Sequence, residues 1–307
     1  MLEGIFYWVL NMSIIGFAAG IIILIIRCIK ILPRFGIYFL WVLPLIRFWI
    51  PVGFANKYSL LNLVSQHAVK TITVWEPITY VPNLTMSNSV QAVTEYFPME
   101  YKTDILKNIF NIAGIVWVSV AIVAVLISLL FYILTKYSLR NAKHIKDNIY
   151  CSDKLLSPAV YGILKPKIML PTNFNEANLE YIIRHEQIHI RRLDNLWRLI
   201  AIITACIHWF NPLVWILLKY FFIDMELACD AGVLKNLDGG SKKKYAEALL
   251  SCSLGKNHYA SAFRSTKTKL RIERILSYKK LTFLSGLCFA VLFIVIAVTI
   301  VTNGVGR

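Results

Sequence analysis

The sequence predicts a mainly α-helical, polytopic membrane protein with four transmembrane helices. Residues of the AVILMFWYC set make up 57% of the 307 residues, and charged residues make up only 16%. A typical soluble domain carries about 25% charged residues, and a soluble core of this size could not bury so much apolar surface. The composition therefore argues against a soluble enzyme, a disordered regulator and a disulfide-stapled secreted domain.

Four apolar runs are long enough to cross a bilayer, which requires about 20 residues of helix. They cover residues 5–26, 37–54, 110–134 and 281–303. The first run lacks the basic start of a signal peptide, because Glu3 precedes it, and it is longer than a usual signal core. It is therefore predicted to be a membrane helix that remains in the protein.

The basic residues predict the orientation, because short basic loops remain in the cytoplasm. Residues 27–34 hold three basic residues and no acid, residues 55–109 hold four of each, and residues 135–280 hold 24 Lys or Arg against 12 Asp or Glu. We therefore expect both termini outside, including the tail 304–307. Residues 55–109 become an extracellular loop and residues 135–280 a cytoplasmic domain. None of the six cysteines lies in that loop, which predicts a reduced set without disulfides.

A fifth apolar run, residues 196–222, is also long enough to cross, but polar residues interrupt it. Asn211-Pro212 is typical of a helix start, because Asn caps the helix and Pro fits its first position. The run therefore predicts two helices, 199–210 and 212–222, each too short to span alone. We expect a re-entrant or membrane-surface hairpin that returns the chain to the cytoplasmic face.

The strongest chemical signal is the HExxH motif that starts at His185 and ends at His189. Two histidines four residues apart project from one face of a helix and can share one zinc ion. Glu186 lies beside them, where a carboxylate can take a proton from a metal-activated water. The same pattern also occurs in unrelated helices with surface histidines, so the interpretation depends on a third ligand.

Glu226 is the best candidate for the third ligand. Asp230 follows one helical turn later and could hydrogen-bond a zinc-bound histidine, which would fix the tautomer of that histidine. If residues 196–222 crossed the membrane, Glu226 and His189 would face opposite compartments. The zinc hypothesis therefore requires the hairpin. An exposed acidic turn is the alternative interpretation.

His208 lies at the end of the first hairpin helix. It is either a polar anchor within the hairpin or a hydrogen-bond donor to the transition state of a reaction. We favour the anchor.

The basic residues between 264 and 280 permit two interpretations, nucleic-acid binding or attachment to a membrane surface. Leu270, Ile272, Ile275 and Leu276 are interleaved with the charges. This pattern favours an amphipathic helix on an anionic inner leaflet. We therefore expect the lipid bilayer as a partner and no direct contact with nucleic acid.

The order of the motifs resembles the BlaR/MecR family of membrane zinc metallopeptidases, which are antibiotic-sensing transducers of bacteria. The motifs that carry the resemblance are HExxH at 185–189, RRxDNxxR at 191–198, HWFNP at 208–212 and ExxxD at 226–230. Residues 161–171 resemble the short strand that precedes the catalytic helix in that family. The resemblance extends over nearly the whole chain.

The resemblance implies a cytoplasmic, gluzincin-like metalloprotease domain with a short β-sheet. The ligands of a single zinc ion would be His185, His189 and Glu226. Glu186 would be the general base and acid, and Asp230 would support the site.

The resemblance also implies a biological role in a bacterial plasma membrane. An extracellular, β-lactam-type signal would activate cytoplasmic proteolysis, including self-cleavage between about residues 255 and 271. A repressor of resistance genes would be a direct or indirect target, and the oligomeric state stays open. Relatives usually carry a penicillin-binding sensor domain after the last span, whereas this sequence ends six residues past Val301. A truncated form and a short natural relative are both compatible with that.

Two other functions remain as alternatives. The first is a housekeeping membrane zinc protease similar to the prenyl-protein proteases, which a metal cavity enclosed by the spans would favour. The second is a non-enzymatic receptor that keeps a relic metal site.

Overall fold

The computed structural model describes residues 2–29, 32–50, 56–59, 62, 104–155, 157–172, 179–235, 237–253, 261–278 and 283–302. The predicted tail 304–307 and most of the predicted loop 55–109 lie outside these residues. So does the first part of the predicted cleavage segment, residues 255–260.

Helices dominate the described chain, and a small sheet stands between the fourth and fifth of them. The helices are α1 (Leu2–Ile26), α2 (Arg34–Leu40), α3 (Val42–Trp49), α4 (Asp104–Ser138), α5 (Leu179–Arg191), α6 (Asp194–Ile207), α7 (Pro212–Leu234), α8 (Gly239–Ser253), α9 (Ser261–Leu276) and α10 (Phe283–Val301). The strands are β1 (Lys143–Lys146), β2 (Ile149–Ser152), β3 (Ala159–Tyr161) and β4 (Lys167–Pro171). The prediction of a mainly helical chain with a short sheet is confirmed.

Two helices of the described chain are long and apolar enough to cross a membrane. They contain the stretches Gly4–Ile26 in α1 and Asn108–Ser138 in α4. The apolar part of α10, Ser285–Val301, is shorter. Two of the four predicted spans therefore have helices of sufficient length.

The second predicted span, residues 37–54, differs from the prediction. The structure has two short helices there, α2 and α3, which are separated at Trp41. Pro44 explains the break, because it has no N–H to donate to the carbonyl of Leu40 and its ring crowds that carbonyl. The α3 helix ends at Trp49, and residues 51–55 lie outside the described chain.

Arg47 on α3 is fully buried. Its Nε donates to the carbonyl of Ile300 at 2.8 Å, and its Nη2 donates to the carbonyl of Thr302 at 3.0 Å. The last carbonyls of a helix have no partner within the helix. The guanidinium of Arg47 therefore caps the C-terminal end of α10 and joins that end to α3.

The sheet has the strand order β1-β2-β4-β3, in which only the β2–β4 pair is parallel. The turn before β4 contains Gly162 at φ 93°, a backbone conformation that side chains disfavour. A Cβ atom there would lie 2.8 Å from the carbonyl oxygen of Lys165. This glycine therefore allows β3 to turn back along β4, which leaves β3 at the sheet edge next to α5.

A helical hairpin formed by α6 and α7 lies where the hairpin was predicted, but α6 starts five residues earlier and ends three residues earlier than predicted, and α7 continues past residue 222. The predicted helices were 199–210 and 212–222, whereas α6 is Asp194–Ile207 and α7 is Pro212–Leu234. Asn211 caps α7, because its side chain accepts a hydrogen bond from the N–H of Leu213 at 3.0 Å. Since α7 continues past 222, Glu226 lies on the hairpin's own second helix.

Two apolar clusters flank this hairpin. One joins α1, α2, α3, α6, α7 and α10 and contains Ile23, Leu40, Ala205, Leu217 and Phe221. The other joins α5, α7, α8 and α9 and contains Ile182, Val233, Leu249 and Ile275. Helix α7 belongs to both, so it connects the apolar helices of the chain to the helix that carries the HExxH motif.

Candidate metal centre

The HExxH motif lies on helix α5, as the sequence predicts. His185, Glu186 and His189 are all buried. The imidazole Nε2 atoms of the two histidines are 3.1 Å apart. The four-residue spacing therefore brings both rings to one point on one face of the helix.

Glu226 on α7 lies opposite the two histidines. Its Oε2 is 3.4 Å from Nε2 of His185, and its Oε1 is 3.7 Å from Nε2 of His189. The folded-back hairpin thus brings a chain-distant carboxylate to the imidazole pair. The three ligand candidates named from the sequence meet at one point.

The geometry fits a tetrahedral metal ion. With bonds of about 2.0–2.1 Å, two ligand atoms of such a site lie roughly 3.3 Å apart, close to the separations observed. Each histidine uses its Nδ1 for another hydrogen bond, so both Nε2 lone pairs point toward the same space. Two imidazole nitrogens and a carboxylate can lie this close only if a proton or a metal cation lies between them.

Asp194 is the direct partner of His189. Nδ1 of His189 donates to Oδ2 of Asp194 at 2.6 Å, and Asp194 is fully buried. The turn that makes this possible runs through Leu193, whose φ of 55° is in the left-handed region. In the sequence, Asp194 is the acidic position of the RRxDNxxR motif, and no role was predicted for it.

Asp230 was predicted to hydrogen-bond a zinc-bound histidine and so support the site. In the structure its Oδ1 lies 3.4 Å from Nδ1 of His185. The hydroxyl of Tyr245 lies between them and accepts from Nδ1 of His185 at 2.8 Å while it donates to Oδ1 of Asp230 at 2.6 Å. Asp230 also binds the guanidinium of Arg271 through two hydrogen bonds of 2.7 Å. Tyr245 of helix α8 thus links Asp230 to His185 by two hydrogen bonds that are shorter than the direct contact.

Two arginines approach Glu226. Nη2 of Arg198 donates to its Oε1 at 2.9 Å, and Nη1 of Arg271 lies 3.5 Å from its Oε2. Arg271 also lies 3.4 Å from Nε2 of His185. The guanidinium groups hold the carboxylate in place, and they surround the acidic groups with balancing positive charge.

The electrostatics of the site favour positive charge between the histidines. Burial alone lowers the pKa of His185, but neighbouring Cys229 and Glu226 outweigh burial and raise it to about 10. The pKa of His189 is also raised, because Cys229, Glu226 and Asp194 outweigh its burial. Burial raises the pKa of Glu226, but the histidines and Arg271 hold it well below its usual range. A bound cation would use the same attraction.

Cys229 is a further group near the histidines for which no role was predicted from the sequence. A ligand atom each from Cys229, His185 and His189 lies within 4.8 Å of the other two. The thiol donates to the carbonyl of His185 at 3.2 Å, so it holds the backbone of α5 against α7. Cys229 lies three residues after Glu226, which is about one helical turn. This spacing places both residues on one face of α7 and is the signal in the sequence that could have identified Cys229.

A cavity of about 220 Å³ opens beside this cluster. Glu186 borders it, next to both histidines. Its other lining residues come from the β3 region and from helices α5 to α9: Ser157, Pro158, Ala159, Val160, Ile182, Arg198, Glu226, Leu249, Cys252, Thr268 and Arg271. The lining residues include none from α1, α4 or α10 in the described chain.

His208 is remote from this cavity. It is buried, its ring packs on Phe48 with the ring centroids 4.8 Å apart, and Nε2 faces the carbonyl of Phe48 at 3.2 Å. These contacts fit the favoured anchor rather than a transition-state donor, because His208 is not among the residues that line the cavity.

Comparison with known proteins agrees with the motif order. The profile of the BlaR1 peptidase M56 family matches residues 7–277. Regulatory protein BlaR1 of Bacillus licheniformis is 31% identical over 139 residues, which cover 41% of this chain and 23% of that protein. The methicillin resistance mecR1 protein of Staphylococcus aureus is 35% identical over 121 residues, or 38% of this chain and 20% of the relative.

Another relative is similar over a longer stretch. Regulatory protein BlaR1 of Staphylococcus aureus is 26% identical over 309 aligned residues, which cover 88% of this chain and 51% of that protein. This chain thus spans about half the length, or less, of these curated relatives. Because the family profile covers most of the sequence, the chain belongs to the BlaR1 peptidase M56 family of metallopeptidases.

Proposed function

We propose that this chain is a membrane-embedded zinc metallopeptidase of the HExxH…ExxxD gluzincin type. His185, His189 and Glu226 would hold one zinc ion. The observation that carries the proposal is the separation of 3.1, 3.4 and 3.7 Å among the two Nε2 atoms and the Glu226 carboxylate. The orientation of both Nδ1 atoms toward protein partners supports it, because ligand histidines are normally fixed in that way.

Peptide hydrolysis at this site would use the cavity beside the histidines. Bound zinc would polarise the carbonyl of the peptide bond to be cleaved and lower the pKa of a bound water to about 7. Glu186 takes a proton from the attacking water and returns it to the leaving nitrogen. Arg198 and Arg271 hold Glu226, while Asp194 and Tyr245 fix the two imidazole rings.

The proposed biological role is signal transduction by cytoplasmic proteolysis. An extracellular, β-lactam-type signal activates the peptidase, which cleaves itself between about residues 255 and 271 and leads, directly or indirectly, to loss of a repressor of resistance genes. The names of the relatives support a link to resistance regulation. Thr268 and Arg271 on α9 border the cavity, which supports that segment as a substrate.

The proposed location is a bacterial plasma membrane that the chain crosses four times, with both termini outside. Helices α1 and α4 support two of the crossings. Reporter fusions after residues 30, 80, 160 and 305 test the topology. Cytoplasmic signals are expected at 30 and 160 and external signals at 80 and 305, and any other pattern contradicts it.

The position of the cavity disfavours the alternative of a prenyl-protein protease type. Such an enzyme would enclose the metal among its membrane helices, whereas the described cavity lies among the sheet edge and α5 to α9. The other alternative, a non-enzymatic receptor that keeps a relic metal site, can be distinguished from the proposed peptidase only by a measurement of proteolytic activity.

Metal content and self-cleavage test the proposal on the full chain, purified from membranes in detergent. We expect one zinc per wild-type chain and loss of zinc in His185→Ala and Glu226→Ala. Glu186→Ala should retain zinc but lose self-cleavage. Glu180→Ala is the matched control, because Glu180 is an exposed carboxylate on the same helix. Equal fragmentation of wild type and Glu186→Ala contradicts the peptidase function.

A further inference from the structure

Tyr38 on helix α2 contacts the candidate metal centre through Asp194. Its hydroxyl donates to Oδ1 of Asp194 at 2.9 Å, and the other oxygen of that carboxylate accepts from Nδ1 of His189 at 2.6 Å. Both hydrogen bonds are buried. A single carboxylate thus joins a short helix of the apolar bundle to a candidate metal ligand.

The ring of Tyr38 is held on both faces. It stacks on Phe221 of α7 with the centroids 5.7 Å apart and the planes at 28°. The guanidinium of Arg192 lies 4.4 Å from the ring centroid and is itself 3.1 Å from Oδ2 of Asp194. These contacts leave the hydroxyl little freedom, so Tyr38 and Arg192 together hold the Asp194 carboxylate.

The residue that follows α2 contacts the helix that carries Glu226. Nε1 of Trp41 donates to Oδ2 of Asp224 at 2.9 Å, and Asp224 precedes Glu226 by two residues on α7. Arg27, just after α1, binds both oxygens of the same carboxylate at 3.1 and 2.9 Å. Tyr38 of α2 therefore binds the carboxylate that holds His189, and Trp41 just after α2 binds the helix that carries Glu226.

We propose that Tyr38 is a positioning residue through which helix α2 sets the geometry of the metal centre; this inference rests on the proposed function. Tyr38 fixes Asp194, and Asp194 fixes the tautomer and orientation of His189. A shift of α2 that breaks the Tyr38–Asp194 hydrogen bond frees the imidazole and weakens metal binding. The membrane part of the chain thereby controls the centre without touching a ligand.

Tyr38→Phe tests this inference, because it removes the hydroxyl and keeps the ring contacts with Phe221 and Arg192. Loss of a hydrogen-bond partner of a ligand histidine typically weakens metal affinity about 10- to 100-fold. We expect a loss of that size for Asp194→Asn and a smaller one, about 3- to 10-fold, for Tyr38→Phe, which acts one bond further away. The readouts are zinc affinity by chelator competition and the absorption spectrum of the cobalt-substituted full chain in detergent.

Tyr220→Phe is the matched control. Tyr220 lies on α7, and its ring stacks under Arg27 with the guanidinium 4.4 Å from the centroid, much as Tyr38 packs on Arg192. Within the described chain its hydroxyl makes no hydrogen bond to the centre. We expect wild-type zinc affinity and an unchanged cobalt spectrum for this variant.

A double-mutant cycle separates positioning from a general loss of stability. If Tyr38 acts through Asp194, Tyr38→Phe should weaken zinc binding in the wild-type background and have no further effect in Asp194→Ala. Wild-type zinc affinity and cobalt spectrum in Tyr38→Phe, or an equal loss in both backgrounds, overturns the inference. If His185→Ala and Glu226→Ala bind zinc as wild type does, the proposed metal centre itself is wrong. That result is distinguishable from a failure of the Tyr38 inference, in which the ligand variants lose zinc but Tyr38→Phe does not.

Discussion

The hydroxyl of Tyr245 bridges His185 and Asp230, 2.8 Å from Nδ1 of the first and 2.6 Å from Oδ1 of the second. Since Asp230 accepts the phenolic hydrogen, the phenol oxygen is available as the acceptor for His185. Tyr245 therefore orients one candidate ligand histidine, as Asp194 orients the other.

Tyr245→Phe should weaken zinc binding by about 10- to 100-fold, because Nδ1 of His185 loses its acceptor and the ring can rotate or change tautomer. Chelator competition measures the change. Tyr278→Phe serves as control, because Tyr278 packs on Lys242 through its ring. Equal zinc affinity in Tyr245→Phe and the control would show that Asp230 or another group orients His185 without help from Tyr245.

Arg47→Met should lower the stability of the helix bundle. The substitution leaves the buried carbonyl of Ile300 without its donor Arg47, and a buried unsatisfied carbonyl costs about 1–3 kcal/mol. The carbonyl of Thr302 loses Arg47 but keeps the hydroxyl of Ser59 as a donor. Thermal unfolding in detergent measures the loss. Arg47→Lys keeps a charge and a donor near the end of α10, so its melting temperature should lie between those of wild type and Arg47→Met. A melting temperature of Arg47→Met at or above that of wild type contradicts the capping role.

Gly162→Ala should destabilise the turn before β4 by about 1–3 kcal/mol, because its φ is 93° and the new Cβ would meet the carbonyl of Lys165. Gly240→Ala is the control. A Cβ there meets nothing within 4 Å, and Ala favours the first turn of α8. Thermal unfolding should rank Gly162→Ala well below Gly240→Ala, and the reverse order would refute the strain argument.

The Cys252 thiol should react slowly with alkylating reagents although it borders the cavity. Burial raises its pKa to about 11, so the reactive thiolate is a minor species at pH 8. Each pH unit between 8 and 10 should increase the alkylation rate about tenfold, since the thiolate fraction rises by that factor. Mass spectrometry of the Cys252 peptide, with the urea-unfolded chain as reference, measures the rate. Alkylation at pH 8 as fast as in the unfolded chain would exclude the raised pKa.

Local patterns were sufficient for several elements. The HExxH spacing defines a helical face by itself, because two residues four apart lie one turn apart. Asn211 and Pro212 also act locally, since capping and the fixed φ of proline involve neighbouring residues only. For this reason the sequence predicts the HExxH helix and the start of α7 without knowledge of the fold.

The second predicted span was not recovered as one helix, because hydropathy alone does not register the effect of Pro44 on the carbonyl of Leu40. The predicted lengths of the hairpin helices were also too short. Apolar contacts of Met225, Ala228 and Val233 keep α7 helical past the end of the apolar run. Such contacts depend on neighbours that the sequence does not specify locally.

The amino-acid sequence alone determined the chemistry available to this protein: two histidines on one helical face with a glutamate beside them, a later glutamate, and a break that folds the chain back. Tertiary structure decided which groups orient those residues. Tyr245 lies 60 positions from His185, and Tyr38 lies 156 positions from Asp194. Hydrogen bonds over such separations arise only when distant helices pack together, so no local spacing predicts them.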